Sequence, residues 1–293
     1  MSLLEVHDVV VEYPTRGWRS PPFQALRGVD LDVRHGETVG LVGESGSGKT
    51  TLGRAILGLV PVTSGRVLFE GREIHDLPRR ERRRLAPEIQ VVFQDPYTSL
   101  NPAMRIADIL TEPLEAQDVP PEEARGRVRD LLEQVQLPRD AADRFPREFS
   151  GGQRQRIAIA RALALRPKLI VCDEPVSALD LSTQARILDL LIEIQDATGV
   201  AYVFVSHDLS VVRHVSHRVA VMYSGEIVEH GGCDQVTSRP EHPYTRRLLG
   251  AAPVADPERQ KDRREARERA LAAERTLAGA RPGPADDEDR RTR

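Results

Sequence analysis

The run Gly43-Glu44-Ser45-Gly46-Ser47-Gly48-Lys49-Thr50 has the residue types and spacing of a phosphate-cradling loop, GxxxxGK(S/T). Its glycines let the backbone curl so that successive N–H groups point inward, and a helix N-terminus at the same place adds positive potential. In that arrangement Lys49 reaches the β- and γ-phosphates of a nucleotide, and the Thr50 hydroxyl holds Mg²⁺. Ser45, Gly46, Ser47, Gly48 and Thr51 complete the cradle. An ordinary glycine-rich turn is the plain alternative. Against it, only three of the 42 Lys and Arg residues are Lys (Lys49, Lys168 and Lys261), so a Lys in this slot is not readily a chance occurrence.

Two further segments carry chemistry. The apolar stretch Leu169-Ile170-Val171-Cys172 ends in Asp173-Glu174. A nucleotide-bound Mg²⁺ needs a hard oxygen ligand beyond Thr50. Asp173, at the carboxyl end of a strand, stands where doubly wound sheets place their ligands. Glu174, one residue on, can orient an attacking water and accept its proton. Taken alone, the pair could equally be a solvated strand end. The second segment is Phe149-Ser150-Gly151-Gly152-Gln153, followed by a helical pattern from Arg154 to Leu163. Ser150 suits a helix N-cap, and Gly151 and Gly152 leave N–H groups free at the positive end of the dipole. That is a second anion site, or else only a capped helix.

These residues need a sheet to position them. Val39-Gly40-Leu41-Val42 before the loop reads as a buried strand, and Thr51 to Leu57 after it as a helix. Residues 3–13 read as a strand, residues 14–22 as a loop, and residues 29–33, 66–69 and 89–93 as further strand pieces. The run Arg79 to Arg84 reads as a solvated helix face. From about 98 to 147 Pro, Glu and Arg are frequent and helical periodicity dominates, as in Glu123 to Gln134; the stretch reads as a helical insertion. Residues 169–173 and 200–205 are β-branched core strands with a helix over 181–197 between them. Such alternation predicts an α/β sheet covered on both faces. Residues 218–230 read as a hairpin turning at Ser224-Gly225. After Pro253 the chain becomes a mixed-charge segment without an apolar face, read as a mobile tail.

Composition narrows the function classes. Hydrophobic residues make up 40% and charged residues 30%, the balance of a soluble globular protein. A net charge of -3 and 4% aromatics argue against a nucleic-acid binder. Cys172 and Cys233 have no metal-like spacing, and a reducing cytosol suits them; Cys172 reads as a small buried hydrophobe. The N-terminus lacks a signal pattern, and no apolar run approaches the length needed to span a bilayer.

The phosphate loop, Gln94, FSGGQ, LIVCDE, Ser177-Ala178-Leu179-Asp180 and Ser206-His207-Asp208 stand in the order found in the nucleotide-binding domains of the ATP-binding cassette family. The resemblance covers residues 3 to about 252. It implies a P-loop NTPase core with a parallel sheet, an antiparallel β subdomain and a helical subdomain over about 95–165, within a domain spanning 1–252 ahead of the 253–293 tail. It also implies ATP and Mg²⁺, with Gln94 and Asp173 joining Thr50 near the metal. Glu174, His207 and Gln94 would act at the γ-phosphate. Asp180 would belong to a loop crossing a dimer interface. Tyr13 resembles the aromatic that stacks on adenine, with Trp18 and Phe23 as rivals because the loop at 14–22 lengthens its distance from Lys49.

The segments Phe93 to Pro102 and His242 to Leu249 resemble the oligopeptide and dipeptide importer branch. Nickel and glutathione importers share the second segment. The resemblance therefore implies a peripheral ATPase on the cytoplasmic face of the membrane. Its partners would be a second cassette subunit, identical or paralogous, the transmembrane permease subunits and, indirectly, a solute-binding protein. Some members of the branch hold an iron–sulfur cluster near the C-terminus, but two isolated cysteines cannot supply four thiolates. A soluble cassette ATPase acting on DNA or ribosomes is the rival class. It would ordinarily bring a second cassette, zinc fingers or a long coiled coil, none of which this sequence carries.

Overall fold

The computed structural model describes residues 2–15, 21–95 and 99–251. In chain order its strands are β1 (Ser2–Tyr13), β2 (Phe23–Arg34), β3 (Thr38–Val42), β4 (Ser64–Phe69), β5 (Arg72–Glu73), β6 (Ile89–Val92), β7 (Leu169–Asp173), β8 (Ala201–Ser206), β9 (Arg218–Tyr223) and β10 (Glu226–Gly232). Its α-helices are α1 (Lys49–Ile56), α2 (Arg79–Leu85), α3 (Ile106–Glu115), α4 (Pro121–Gln134), α5 (Gly151–Leu163), α6 (Leu181–Thr198), α7 (Leu209–Val215), α8 (Cys233–Ser238) and α9 (Pro243–Ala251). Among the described residues one compact unit runs to Leu248. The tail read after Pro253 lies outside the described residues.

Two sheets carry this unit. One has the order β2-β1-β4-β5, and its pairings are antiparallel. The other has the order β10-β9-β3-β8-β7-β6. There β9, β3, β8, β7 and β6 run parallel, and β10 closes one edge as an antiparallel hairpin with β9. All five residues of β3 and all six of β8 are buried, which is why both read as unbroken β-type runs rather than alternating ones. Cys172 is fully buried in β7, and burial pushes its thiol pKa far up, so it packs as a small hydrophobe.

The expected strand piece at 29–33 is only the end of a longer strand. β2 begins at Phe23, opposite Tyr13. Its first half was obscured by a kink: Gly28 sits at φ +79°, where a Cβ would lie 2.6 Å from Asp8 Oδ1. The pairing also slips between Val6 and Val9, breaking the alternation that marks a strand.

The helical segment contains α3, α4, two short 3₁₀ turns (Arg139–Asp143 and Pro146–Glu148) and α5. Ile106, Ile109, Leu110 and Leu114 of α3 and Val128, Leu131 and Leu132 of α4 form its buried face. In α2 no residue is buried, yet the reading of a solvated arginine face is incomplete. The Arg82 guanidinium donates to Leu57 O at 2.9 Å and to Ile74 O at 2.6 Å, satisfying a carbonyl at the C-terminal end of α1.

Candidate functional site

The parallel strands fix where the site lies. The loop 43–48 follows β3, Glu174 follows β7, His207 follows β8 and Gln94 comes two residues after β6. These strands are neighbours in the sheet, so their carboxyl ends bring four sequence-distant segments to one edge.

The loop is shaped by close approaches only glycine permits. A Cβ on Gly43 would lie 2.2 Å from Met222 O. Gly48, at φ +108°, would place one 2.9 Å from Ala25 O. Gly46 also has φ +80°, with open space around it, so its requirement is conformational rather than steric. Ser45 and Gly46 are exposed, Thr50 and Thr51 half-buried, and Ser47 and Lys49 buried. Lys49 begins α1 and turns its ammonium back on the loop. It donates to Gly43 O at 2.7 Å, Glu44 O at 2.8 Å and Ser47 Oγ at 3.4 Å. Burial lowers its pKa, while the carboxylates of Glu174, Asp173 and Glu44 pull the other way.

Across the sheet the Thr50 hydroxyl donates to Asp173 Oδ1 at 3.1 Å. Burial raises the Asp173 pKa and the neighbouring Glu174 charge adds to this; the Thr50 hydroxyl, Arg54 and Lys49 oppose it. A half-buried carboxylate beside a hydroxyl is a hard-oxygen pair that fits Mg²⁺. Glu174 adopts φ +49°, a costly conformation for a residue with a Cβ. Its surroundings over-determine it. The Glu174 N–H donates to Val205 O at 3.0 Å, and its carbonyl accepts from the Ser177 hydroxyl at 3.1 Å. The side chain is 19% exposed, and one oxygen, Oε2, accepts from His207 Nδ1 at 3.1 Å and from Gln94 Nε2 at 3.3 Å.

The structure thus brings Lys49, Thr50, Asp173, Glu174, His207 and Gln94 together. It keeps Ser150, Gly151 and Gly152 on a separate element, the start of α5. There Ser150 N donates to Gln153 Oε1 at 3.0 Å and Gln153 N to Ser150 Oγ at 3.4 Å, a reciprocal capping box. Gly152 packs directly on α6, where a Cβ would meet Thr183 Cγ2 at 2.3 Å. Asp180 caps α6, accepting from Thr183 N at 3.0 Å, Thr183 Oγ1 at 2.7 Å and Ser182 Oγ at 2.6 Å. These bonds, led by the Ser182 hydroxyl, hold its carboxyl far below the usual range. Tyr13 ends β1 half-buried against the core, whereas Phe23 opposite it is 55% exposed. Trp18, the other candidate, lies outside the described residues.

Two contacts escaped the sequence reading. Tyr244 Oη accepts from Glu44 N at 3.0 Å, although the two are 200 residues apart. Arg218 bridges the two sheets with a two-pronged bond to Asp32, 2.9 Å on each arm. The segment around Tyr244 could be recognised by resemblance, but nothing in its pattern pointed to the phosphate loop. No periodicity pairs Arg218 with Asp32.

A glycine-rich loop between a central parallel strand and a helix, with an Asp-Glu pair closing the adjacent strand, defines a P-loop NTPase fold. Comparison with known proteins carries this further. Residues 26–177 match the family model described as "ABC transporter", and residues 228–281 match "Oligopeptide/dipeptide transporter, C-terminal region". The chain belongs to the ATP-binding cassette family. The second match runs on through the segment read as a tail. The glutathione import ATP-binding protein GsiA of Escherichia coli O6:H1 is 49% identical over 267 residues, covering 89% of this chain and 43% of the relative. The chain therefore spans less than half the length of that protein. A Brucella ovis protein, provisionally named a peptide import ATP-binding protein, is 48% identical over 262 residues, covering 89% of this chain and 82% of the relative.

Among solved structures, cbiO1 of Clostridium perfringens, part of an ABC transporter complex, superposes with a TM-score of 0.73 at 30% identity, covering 81% of this chain and 91% of that one. A dimeric ATP-binding cassette in a post-hydrolysis state, bound to ADP and Pi, gives 0.69 at 32% identity, with coverage of 78% and 98%. The mixed and antiparallel sheets with their helices agree with the fold class read from the sequence.

Proposed function

We propose that this chain is the ATP-hydrolysing subunit of an importer for oligopeptides or dipeptides. The observation that carries the catalytic part is the Glu174 carboxylate, held by His207 and Gln94 beside the Lys49 and Thr50 cradle. Ser45 to Thr51 bind the phosphates, with the Lys49 ammonium exchanging loop carbonyls for phosphate oxygens. Thr50, Asp173 and Gln94 would hold Mg²⁺, which would neutralise phosphate charge. Glu174 orients the attacking water and takes its proton. His207 keeps the carboxylate placed and contacts the γ-phosphate. Adenine stacks at the hairpin end where Tyr13 opposes Phe23.

Ser150, Gly151 and Gly152 supply the second anion site, on the nucleotide held by another cassette subunit, identical or paralogous. Negative phosphate between two positive backbone sites favours closure of that dimer, and its loss on hydrolysis favours opening. The closure is passed through the helical segment to membrane permease subunits, supplied with cargo by a solute-binding protein. The chain acts from the cytoplasmic face of the membrane. No helix among the described residues is long and apolar enough to cross a membrane. The match at 228–281 and the Brucella relative support peptides as cargo, and the Escherichia relative supports glutathione as the second reading.

Glu174→Gln tests the catalytic role. It keeps the shape and loses the base, so ATP should bind while turnover falls by roughly 10²- to 10⁴-fold and a closed dimer accumulates. Wild-type turnover in that variant removes Glu174 from the mechanism.

A further inference from the structure

The segment from His242 to Leu249 has no part in the site as proposed, yet its tyrosine touches it. Tyr244 is 2% exposed. Its hydroxyl takes the Glu44 N–H at 3.0 Å, and the Glu44 carbonyl takes the Lys49 ammonium at 2.8 Å. Glu44 is therefore held from both sides, by Tyr244 through its amide and by Lys49 through its carbonyl. The Tyr244 ring rests on Tyr223 at the end of β9, with centroids 4.3 Å apart.

The base of the segment is fixed independently of the loop. Glu229 of β10, 9% exposed, accepts from Glu241 N at 2.8 Å and from His242 N at 3.0 Å. His242 Nδ1 then accepts from Tyr244 N at 3.2 Å, and Arg246 Nε donates to Pro240 O at 3.1 Å. The β9–β10 turn braces the loop at a second point, where Gly225 N donates to Ser47 O at 2.9 Å. What these contacts restrain is a loop with three glycines at positive φ, intrinsically able to leave its binding shape.

We propose that Tyr244 is a positioning residue for the phosphate loop. Its hydroxyl accepts from the Glu44 N–H and so fixes the Gly43–Glu44 peptide, whose carbonyl receives Lys49 at 2.7 Å. That one bond thereby sets how well the loop is organised before a nucleoside diphosphate or triphosphate arrives. This inference rests on the reading of residues 43–50 as the phosphate site. A loop that must be ordered on binding gives up affinity to do so.

Tyr244→Phe in the full chain keeps the ring and its stacking and removes one acceptor. In nucleotide-free protein, amide hydrogen exchange over residues 43–50 should quicken, and calorimetry should show the ADP Kd rising about 5- to 10-fold, the size of one net hydrogen bond. Arg246→Ala loosens the same segment while leaving the hydroxyl in place, and it should leave ADP affinity and loop exchange as in wild type. Unchanged exchange and affinity in Tyr244→Phe would overturn the proposal. So would an equal loss of affinity in both variants that follows their melting temperatures, since the effect would then be general loosening. A wild-type chain that takes up no ADP overturns the phosphate-site reading itself, an outcome distinct from the other two.

Discussion

Replacing Gly152 with alanine tests whether the two helix starts flanking the second anion site are packed as one unit. A Cβ at this position meets Thr183 Cγ2 at 2.3 Å, about an ångström inside ordinary contact. Thr183 cannot simply turn its methyl away. Its hydroxyl donates to Asp180 Oδ2 at 2.7 Å, so rotation about χ1 breaks that bond, although the amide bond to Asp180 Oδ1 at 3.0 Å that caps α6 remains. Overpacking of this kind costs about 1–3 kcal/mol. Alanine returns at most ~1 kcal/mol of helix propensity, and less than that at a helix end. A net loss of about 1–2 kcal/mol should lower Tm by roughly 2–8 °C in a protein of this size. Thr183→Ser removes the colliding methyl and keeps the hydroxyl. In that background Gly152→Ala should cost less than about 0.5 kcal/mol, a coupling of roughly 1 kcal/mol across the four-protein cycle. Calorimetric unfolding of the four variants reads it directly. If Gly152→Ala costs the same with serine at 183 as with threonine, the methyl contact is not what makes glycine necessary, and the packing argument fails.

Two further perturbations test the electrostatics. Because burial raises the Asp173 pKa, the folded protein holds that proton more tightly than the unfolded chain. The ionised carboxylate therefore destabilises the nucleotide-free fold, an effect absent below the ordinary carboxylate range and complete once pH exceeds the raised pKa. Asp173→Asn should accordingly melt higher than wild type at neutral pH, lose that advantage in acid and forfeit Mg-nucleotide stabilisation; a lower Tm at neutral pH refutes the sign. Arg218→Met removes the bond between β9 and β2 to a partner that is 42% exposed, so after solvent screening the cost should be only about 1 kcal/mol. Urea unfolding should show that cost shrinking in molar salt, and a salt-independent loss would assign it to packing instead.

What could be read from the sequence was whatever has a local signature. The core strands β3, β7 and β8 are runs of buried β-branched and aliphatic residues, and the glycines of the loop answer to backbone shape within a few residues. The turn at Ser224-Gly225 and the cap at Ser150 were visible for the same reason. The front of β2 was not, because its pairing is interrupted by a bulge and a left-handed glycine. Arg82 was read as solvated because its neighbours are; only the tertiary approach of α1 gives its guanidinium carbonyls to bind. At the site, the residue types at Lys49, Thr50, Asp173 and Glu174 were legible, and their convergence follows from strand order. The Tyr244 contact spans 200 positions and depends on where a surface segment lands, which no pattern in the chain records.

Lys49, Thr50 and Glu174 each have partners within the chain. Lys49 is bound by its own loop, Thr50 by Asp173, and Glu174 by His207 and Gln94. Nucleotide binding is then an exchange of partners, and its free energy is the difference between two satisfied arrangements rather than the sum of new contacts. The charges sharpen this. The carboxylates of Asp173, Glu174 and Glu44 all act on the single ammonium of Lys49. On the proposed reading, Asp173 and Thr50 supply the oxygens that would admit a divalent cation, which would offset charge on the phosphates. On that reading the acidic pair at the end of β7 would make nucleotide and metal binding interdependent. The same Glu174 that performs the proposed chemistry also opposes binding by phosphate alone.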